Sequence, residues 1–201
     1  MQVRNLIVGA LLFSCTGHVN AQSLTLRVDN IDQIVDSMTL EEKVNLLVGR
    51  NDYLFGGYEK LDKAPRVMDS SISGFTQVIP RLGIPATGLA DGPAGAVVVT
   101  RPDSKKNYYA TGFPIGSLLA CSWNTGLVET IGQAIGNEIL EYGVDVVLAP
   151  GMNIHRSPLC GRNYEYFSED PVLTGKIAAA YIRGVQRNGV GSCPKHFAVN
   201  R

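Results

Sequence analysis

Residues 125–150 read TGLVETIGQAIGNEILEYGVDVVLAP. Leu127, Ile131, Ala134, Ile135 and Ile139 recur at helical spacing, and Gly143 is placed to stop the helix. From Val144 the run VDVVLAP is almost continuously apolar, as expected of a strand buried on both faces. Downstream lies a long loop, from Gly151 to Glu169. Asp170-Pro171 then opens another helix, with proline at the favoured first turn. Its inward positions are Leu173, Ile177, Ala180, Tyr181 and Val185, and Asn188-Gly189 ends it. VGSCPKHF follows as a strand. Upstream, IPATGLADGP predicts a short strand ending near Asp91, and IGSLLACSW, from Ile115 to Trp123, predicts a second strand. Strand, strand, helix, strand, helix, strand is the order of an α/β protein, with parallel strands joined by crossover helices.

The segments before this core are helical or irregular. IDQIVDSM places Ile31, Ile34, Val35 and Met38 on one helical face. TLEEKVNLLVG opens with the Thr-x-x-Glu capping box of Thr39 and Glu42, directs Leu40, Val44 and Leu47 inward, and stops at Gly49. A polar, Gly-rich stretch runs on to Pro80. At the N-terminus, MQVRN, the short apolar run LIVGALLF and the small residue Ala21 predict an export signal over residues 1–21. The competing interpretation of this run is a buried N-terminal helix. A lipoprotein-type signal, LFSC ending at Cys15, overlaps it and would leave a lipid anchor at Cys15. Secretion or periplasmic export is the first expectation. The domain plan is therefore a signal over 1–21, a helical and irregular segment over 22–80, and an α/β domain over 81–201.

The 201 residues balance 18 Lys and Arg against 18 Asp and Glu. No basic stripe is present, which argues against a nucleic-acid partner. No G-x-G-x-x-G follows a predicted strand, which argues against a dinucleotide-binding fold. Of the 4 cysteines, three remain after cleavage at Ala21, so no disulfide framework is expected. Cys193 and His196 would point to opposite faces of a strand and chelate poorly, and no zinc quartet is present. Cys121, Cys160 and Cys193 are expected to behave as small apolar residues near the core.

Function in parallel α/β folds gathers at the C-terminal ends of the strands. Polar residues cluster at three such ends. Asp91 sits in LADGPAG, where it can serve the turn backbone or accept two hydroxyl hydrogen bonds. GMNIHRSPLCGRNYEYFSED sets aromatic rings among charged groups, and its length marks it as functional. Within it, Arg162 and Glu165 can also pair as a structural anchor. Lys195 and His196 are neighbouring cations that persist more readily when anions or hydroxyl oxygens face them.

LADGPAG, GMNIHRSPLCGRNYEYFSEDP and KHFAVN, in this order and spacing, resemble glycoside hydrolase family 3, and its β-glucosidase-like members above all. FPIGSLLACSWN resembles the family's second barrel strand. The resemblance covers roughly Met38 to Asn200. It implies the first half of a (β/α)8 TIM-like barrel and retaining hydrolysis of terminal non-reducing β-glucosyl residues, with no metal or cofactor. By position, Asp91, Arg162, Lys195 and His196 match residues that hold the hydroxyls of the terminal sugar, and the partners are β-linked glucosides or oligosaccharides. KHFAVN lacks the second histidine of the β-N-acetylglucosaminidase branch, whereas β-xylosidases and arabinofuranosidases stay open, as does a non-catalytic sugar-binding protein. The resemblance departs in two places. Ala96-Val97-Val98 stands where relatives carry an arginine just past DGPAG. The nucleophile and acid/base carboxylates are expected beyond Arg201, so the isolated 201 residues are expected to be inactive and marginally stable.

Overall fold

The computed structural model describes residues 24–49, 70–71, 73–100, 105, 107–198 and 200. The leader expected over 1–21, Cys15, the stretch 50–69 and Arg201 lie outside them.

A four-stranded mixed sheet carries the site. Its strands are β2 (Gly74–Phe75), β3 (Gly88–Asp91), β5 (Val146–Leu148) and β6 (Gly191–Ser192), in that spatial order. β2 runs antiparallel to β3, whereas β3, β5 and β6 are parallel. β1 (Ser70–Ser71) and β4 (Val99–Thr100) form a separate antiparallel ribbon. The crossover from β3 to β5 contains α3 (Gly116–Cys121) and α4 (Thr125–Glu141), and the crossover from β5 to β6 contains α5 (Pro171–Gln186). This is the alternation of a partial (β/α)8 barrel.

The helix boundaries have local causes. Asn124 Oδ1 accepts the Leu127 amide at 3.0 Å and caps α4, and Asp170 Oδ1 accepts the Val172 amide at 2.7 Å and caps α5. Gly143 and Gly189, with φ of 68° and 80°, take the chain out of each helix in a conformation that suits glycine. α4 and α5 then pack so closely that backbone meets backbone. A Cβ on Gly132 would lie 2.5 Å from the Tyr181 carbonyl oxygen, and one on Gly184 would lie 2.1 Å from that of Glu129. The buried face of α4 is Val128, Gly132, Ile135, Gly136 and Ile139. It is rotated about one residue from the expected stripe. Leu127 is exposed, and Ile131 and Ala134 are only half-buried. Counting bulky apolar residues misses a face centred on glycines. On α5 the face is Thr174, Ile177, Ala178, Ala180, Tyr181, Gly184 and Val185, with the expected Leu173 half-buried.

Residues 116–121 correct an expectation: IGSLLACSW is a helix, not the second strand. Gly116, Leu119 and Ala120 are its buried residues, at i, i+3 and i+4. A short apolar run is ambiguous between helix and strand, and Leu and Ala favour the helix.

The N-terminal part has its own small cluster. α1 (Ile31–Ser37) and α2 (Leu40–Val48) lie beside the 3-10 turn Pro80–Leu82, and Ile34, Met38, Ile79 and Leu82 pack together. The Thr39–Glu42 capping box forms as expected. The expected burial of Leu40, Val44 and Leu47 does not hold, because all three are exposed. Glu42 and Leu46 share one face of α2 at i, i+4. Glu42 meets Arg81, and Leu46 packs on the cluster, so Leu40, Val44 and Leu47 are turned to the opposite side. Ile31 and Val35 are likewise exposed on α1. Cys121 and Cys193 are exposed and Cys160 is half-buried, so the expectation of core-like cysteines fails. Cys121 ends α3 on its outward side, and Cys193 follows the last paired residue of β6.

Candidate active site

The parallel register brings the strand tips level. Asp91 pairs with Leu148, and past the end of β5 and β6 a single parallel bridge joins Gly151 to Lys195. The Lys195 amide donates to the Pro150 carbonyl at 2.9 Å, and the Met152 amide to the Lys195 carbonyl at 2.8 Å. Asp91, Lys195 and His196 therefore emerge at one edge of the sheet.

Lys195 Nζ lies 2.5 Å from Asp91 Oδ1. The lysine side chain is largely buried and the aspartate is half exposed. Arg162 Nη2 lies 2.6 Å from His196 Nε2, and its Nε pairs with Glu165 Oε1. Glu165 is 6 % exposed, and the guanidinium supplies its counter-charge. Each cation thus has an anion: Asp91 for Lys195 and Glu165 for Arg162. Of the two adjacent basic residues at the strand end, Lys195 faces an anion, whereas His196 faces the Arg162 cation and the Tyr166 hydroxyl. The arrangement also realises the structural ion pair of Arg162 with Glu165 without removing Arg162 from the site edge.

His196 stays neutral more readily than a free histidine. Burial lowers its pKa first, and the neighbouring Arg162 charge lowers it further. The Arg162 guanidinium is held still more firmly protonated by its hydrogen bond to Glu165.

The loop that carries Arg162 is braced from several sides. Ser117 Oγ donates to the Tyr166 carbonyl at 3.1 Å, and the His155 ring contacts the Asn163 carbonyl at 2.8 Å. Gly116 and Gly151 leave room for it: a Cβ on either would sit 2.5 Å or 3.1 Å from the Glu165 carbonyl oxygen. Asn153 clamps His196 twice, accepting its amide at 2.6 Å and donating to its carbonyl at 3.1 Å. Behind the Asp91 turn, the buried Tyr181 hydroxyl reaches the Pro93 carbonyl at 3.3 Å. Burial of that phenol raises its pKa. Asn153, Ser117 and Ser73, whose hydroxyl accepts the Asp91 amide at 2.8 Å, went unnoticed in the sequence. Asn153 lies five residues past the end of β5, within the long loop. Ser117 was hidden by the incorrect strand assignment.

An open cleft of about 370 Å³ adjoins these groups, a size within the range of small-molecule sites. Asp91–Val97 form one wall and Ala110–Gly112 with Ile115 and Gly116 another, while Arg162, Tyr164 and Glu165 make the polar end. Lys195 and His196 contact Asp91 and Arg162, which line this cleft. Ala96 and Val97 give this cleft an apolar wall. Among the described residues no three His, Cys, Asp or Glu side chains group as metal ligands.

Parallel strands backed by helices, with charged groups at the C-terminal strand edge, are the layout of a barrel enzyme. The chain belongs to glycosyl hydrolase family 3: the profile of the Glycosyl hydrolase family 3 N terminal domain matches residues 63–200. It is 43% identical over 176 residues to thermostable β-glucosidase B of Acetivibrio thermocellus, covering 85% of this chain and 20% of that protein. It is 37% identical over 171 residues to an exo-α-(1→6)-L-arabinopyranosidase of Bifidobacterium longum, covering 83% of this chain and 20% of that one. Among solved structures, β-glucosidase 3B from Thermotoga neapolitana in complex with α-D-glucose aligns with a TM-score of 0.71 at 50% identity, over 85% of this chain and 23% of that one. The chain thus spans about a fifth of the length of the curated relatives it matches.

Proposed function

We propose that this chain supplies the sugar-holding face of an exported β-glucosidase-like hydrolase that removes terminal non-reducing β-D-glucosyl residues with retention. The observation that carries the proposal is the convergence of Asp91 with Lys195 and of Arg162 with His196 at one sheet edge. A carboxylate accepts hydrogen bonds from two adjacent hydroxyls, an ammonium and a guanidinium donate to hydroxyl oxygens, and a neutral imidazole nitrogen accepts one more. Together they offer donors and acceptors for several hydroxyls of one pyranose ring, next to an apolar wall for its C–H faces. The glucose and glucoside chemistry named for the relatives supports this choice of ligand.

Retaining hydrolysis needs two carboxylates about 5–5.5 Å apart. Asp91 and Glu165 are committed to Lys195 and Arg162, so we assign neither as nucleophile or acid/base. In the complete gene product, His196→Ala should lower kcat/KM for 4-nitrophenyl β-D-glucoside by about 2 kcal/mol, the scale of a lost charge-assisted hydrogen bond. Near-wild-type kinetics would remove His196 from the site. Retention predicts that the first glucose released is the β-anomer, as followed by NMR.

A second substrate is favoured by the arabinopyranosidase relative: a pentopyranoside, with β-xylosides and arabinofuranosides tested beside it. Faster turnover of any of these than of the glucoside would shift the assignment. Sugar binding with no turnover of any glycoside would instead favour a non-catalytic binding protein. Export predicts a mature N-terminus at Gln22, readable by N-terminal sequencing. Lipid labelling that vanishes with Cys15→Ser would move the protein to a membrane surface.

A further inference from the structure

We infer that Tyr166 is a positioning residue for His196: its phenolic oxygen accepts the Nδ1 proton and holds the imidazole in the tautomer whose Nε2 lone pair faces Arg162. A guanidinium has donors and no acceptor. At 2.6 Å from Arg162 Nη2, His196 Nε2 must therefore accept. A neutral ring with a bare Nε2 carries its hydrogen on Nδ1. The atom facing Nδ1 is the Tyr166 hydroxyl oxygen, 3.0 Å away, on a side chain that is 0 % exposed. The opposite polarity fails: a Tyr166 hydroxyl donating to Nδ1 would put a hydrogen on Nε2 and set two donors against each other at the Arg162 contact. The ring has little freedom to escape, because Asn153 holds the His196 backbone at both its amide and its carbonyl. The Tyr166 ring itself meets the imidazole edge-on, with centroids 5.9 Å apart.

The consequence deepens the sugar-holding role proposed above and rests on it. The Nε2 lone pair takes one hydrogen bond, here from Arg162 Nη2, so a sugar hydroxyl gives its proton to His196 only by replacing that contact, while its oxygen accepts from the freed Arg162 donor. The flipped tautomer would present donors only and lose that match. Tyr166 would act through His196, without touching the sugar.

The deciding experiment is a neutron density map of the complete gene product in D2O at neutral pH. Deuterium on His196 Nδ1 and none on Nε2 is expected, and the reverse overturns the inference whatever the kinetics show. Tyr166→Phe should lower kcat/KM for 4-nitrophenyl β-D-glucoside about tenfold, the scale of one hydrogen bond. In a His196→Ala background the same substitution should change nothing further. An equal loss in both backgrounds would mean Tyr166 only packs the loop, and the inference falls. A silent His196→Ala would sink the sugar-holding role alone, and the neutron map would still decide the tautomer. If Tyr166→Phe does not fold, the wild-type map remains the test.

Discussion

In α4 and α5, Ile135, Ile139, Ile177 and Val185 are each 0 % exposed; in α2, the same kind of apolar spacing leaves Leu40 77 % and Leu47 87 % exposed. α2, α4 and α5 each carry a helical apolar repeat, and each has a side-chain N-cap. The difference lies in what stands opposite. α4 and α5 face each other through Gly132, Gly136 and Gly184, so their side chains interlock across touching backbones. α2 touches its neighbours through Glu42 and Leu46, and no described residue covers its apolar side. An apolar period locates a stripe, but only the opposing surface determines whether the stripe is buried.

The largest test of this contrast is Gly184→Leu. Its side chain would start 2.1 Å from the Glu129 carbonyl oxygen, and overpacking against backbone should cost about 4 kcal/mol. Hydrogen exchange of the α4 and α5 amides in the complete gene product would read this as lost protection, and unchanged exchange would break the comparison. Ile135→Ala should cost about 3 kcal/mol, the usual cost of a cavity in a closed core. Thr39→Ala removes the cap of α2 and should cost about 1 kcal/mol, seen as fraying of α2 alone. Leu47→Ala should change stability by less than about 0.5 kcal/mol. A larger loss would show that a surface outside the described residues covers α2, and would erase the contrast.

The fifth test is pH. Arg81 holds the Glu42 carboxyl down to about 2 from an ordinary 4.5, mainly through their hydrogen bond. A depressed folded pKa gives stability that is full above the unfolded value and is lost as pH falls through the folded one. Acidification from 4.5 toward 2 should therefore loosen α2 from Arg81, while α4 and α5 keep their exchange protection. The effect is small because the pair is exposed. Glu42 titrating at an ordinary carboxylate pH by NMR would refute it.

Much of the site's placement was legible because strand ends are marked by strong signals. Gly92-Pro93 after Asp91, Pro150-Gly151 before the long loop and the polar pair Lys195-His196 each interrupt an apolar run. The parallel register then places them side by side. Helix ends at Gly143 and Gly189 were legible for the same reason, since few residues tolerate their backbone. What escaped was whatever depends on a partner. Residues 116–121 are helical because Gly116, Leu119 and Ala120 find a buried side, which a six-residue run does not announce. The α4 face was misjudged because glycine contributes no hydrophobicity to a pattern yet sets the closest contact. Asn153 binds backbone atoms of His196, 43 residues away, and nothing local to Asn153 indicates that.

The Asp91–Lys195 pair joins positions 104 residues apart. Such a contact requires closing nearly the whole described barrel segment, with both crossovers in place. Contacts of this sequence separation form slowly, whereas the helical turns of α4 and α5 need only local closure. The Asp91–Lys195 pair is therefore among the last features the folding chain can acquire. A chain that has only collapsed around its helices carries the family's scaffold without the proposed sugar-holding groups in place, so glucose binding would report the final stage of folding.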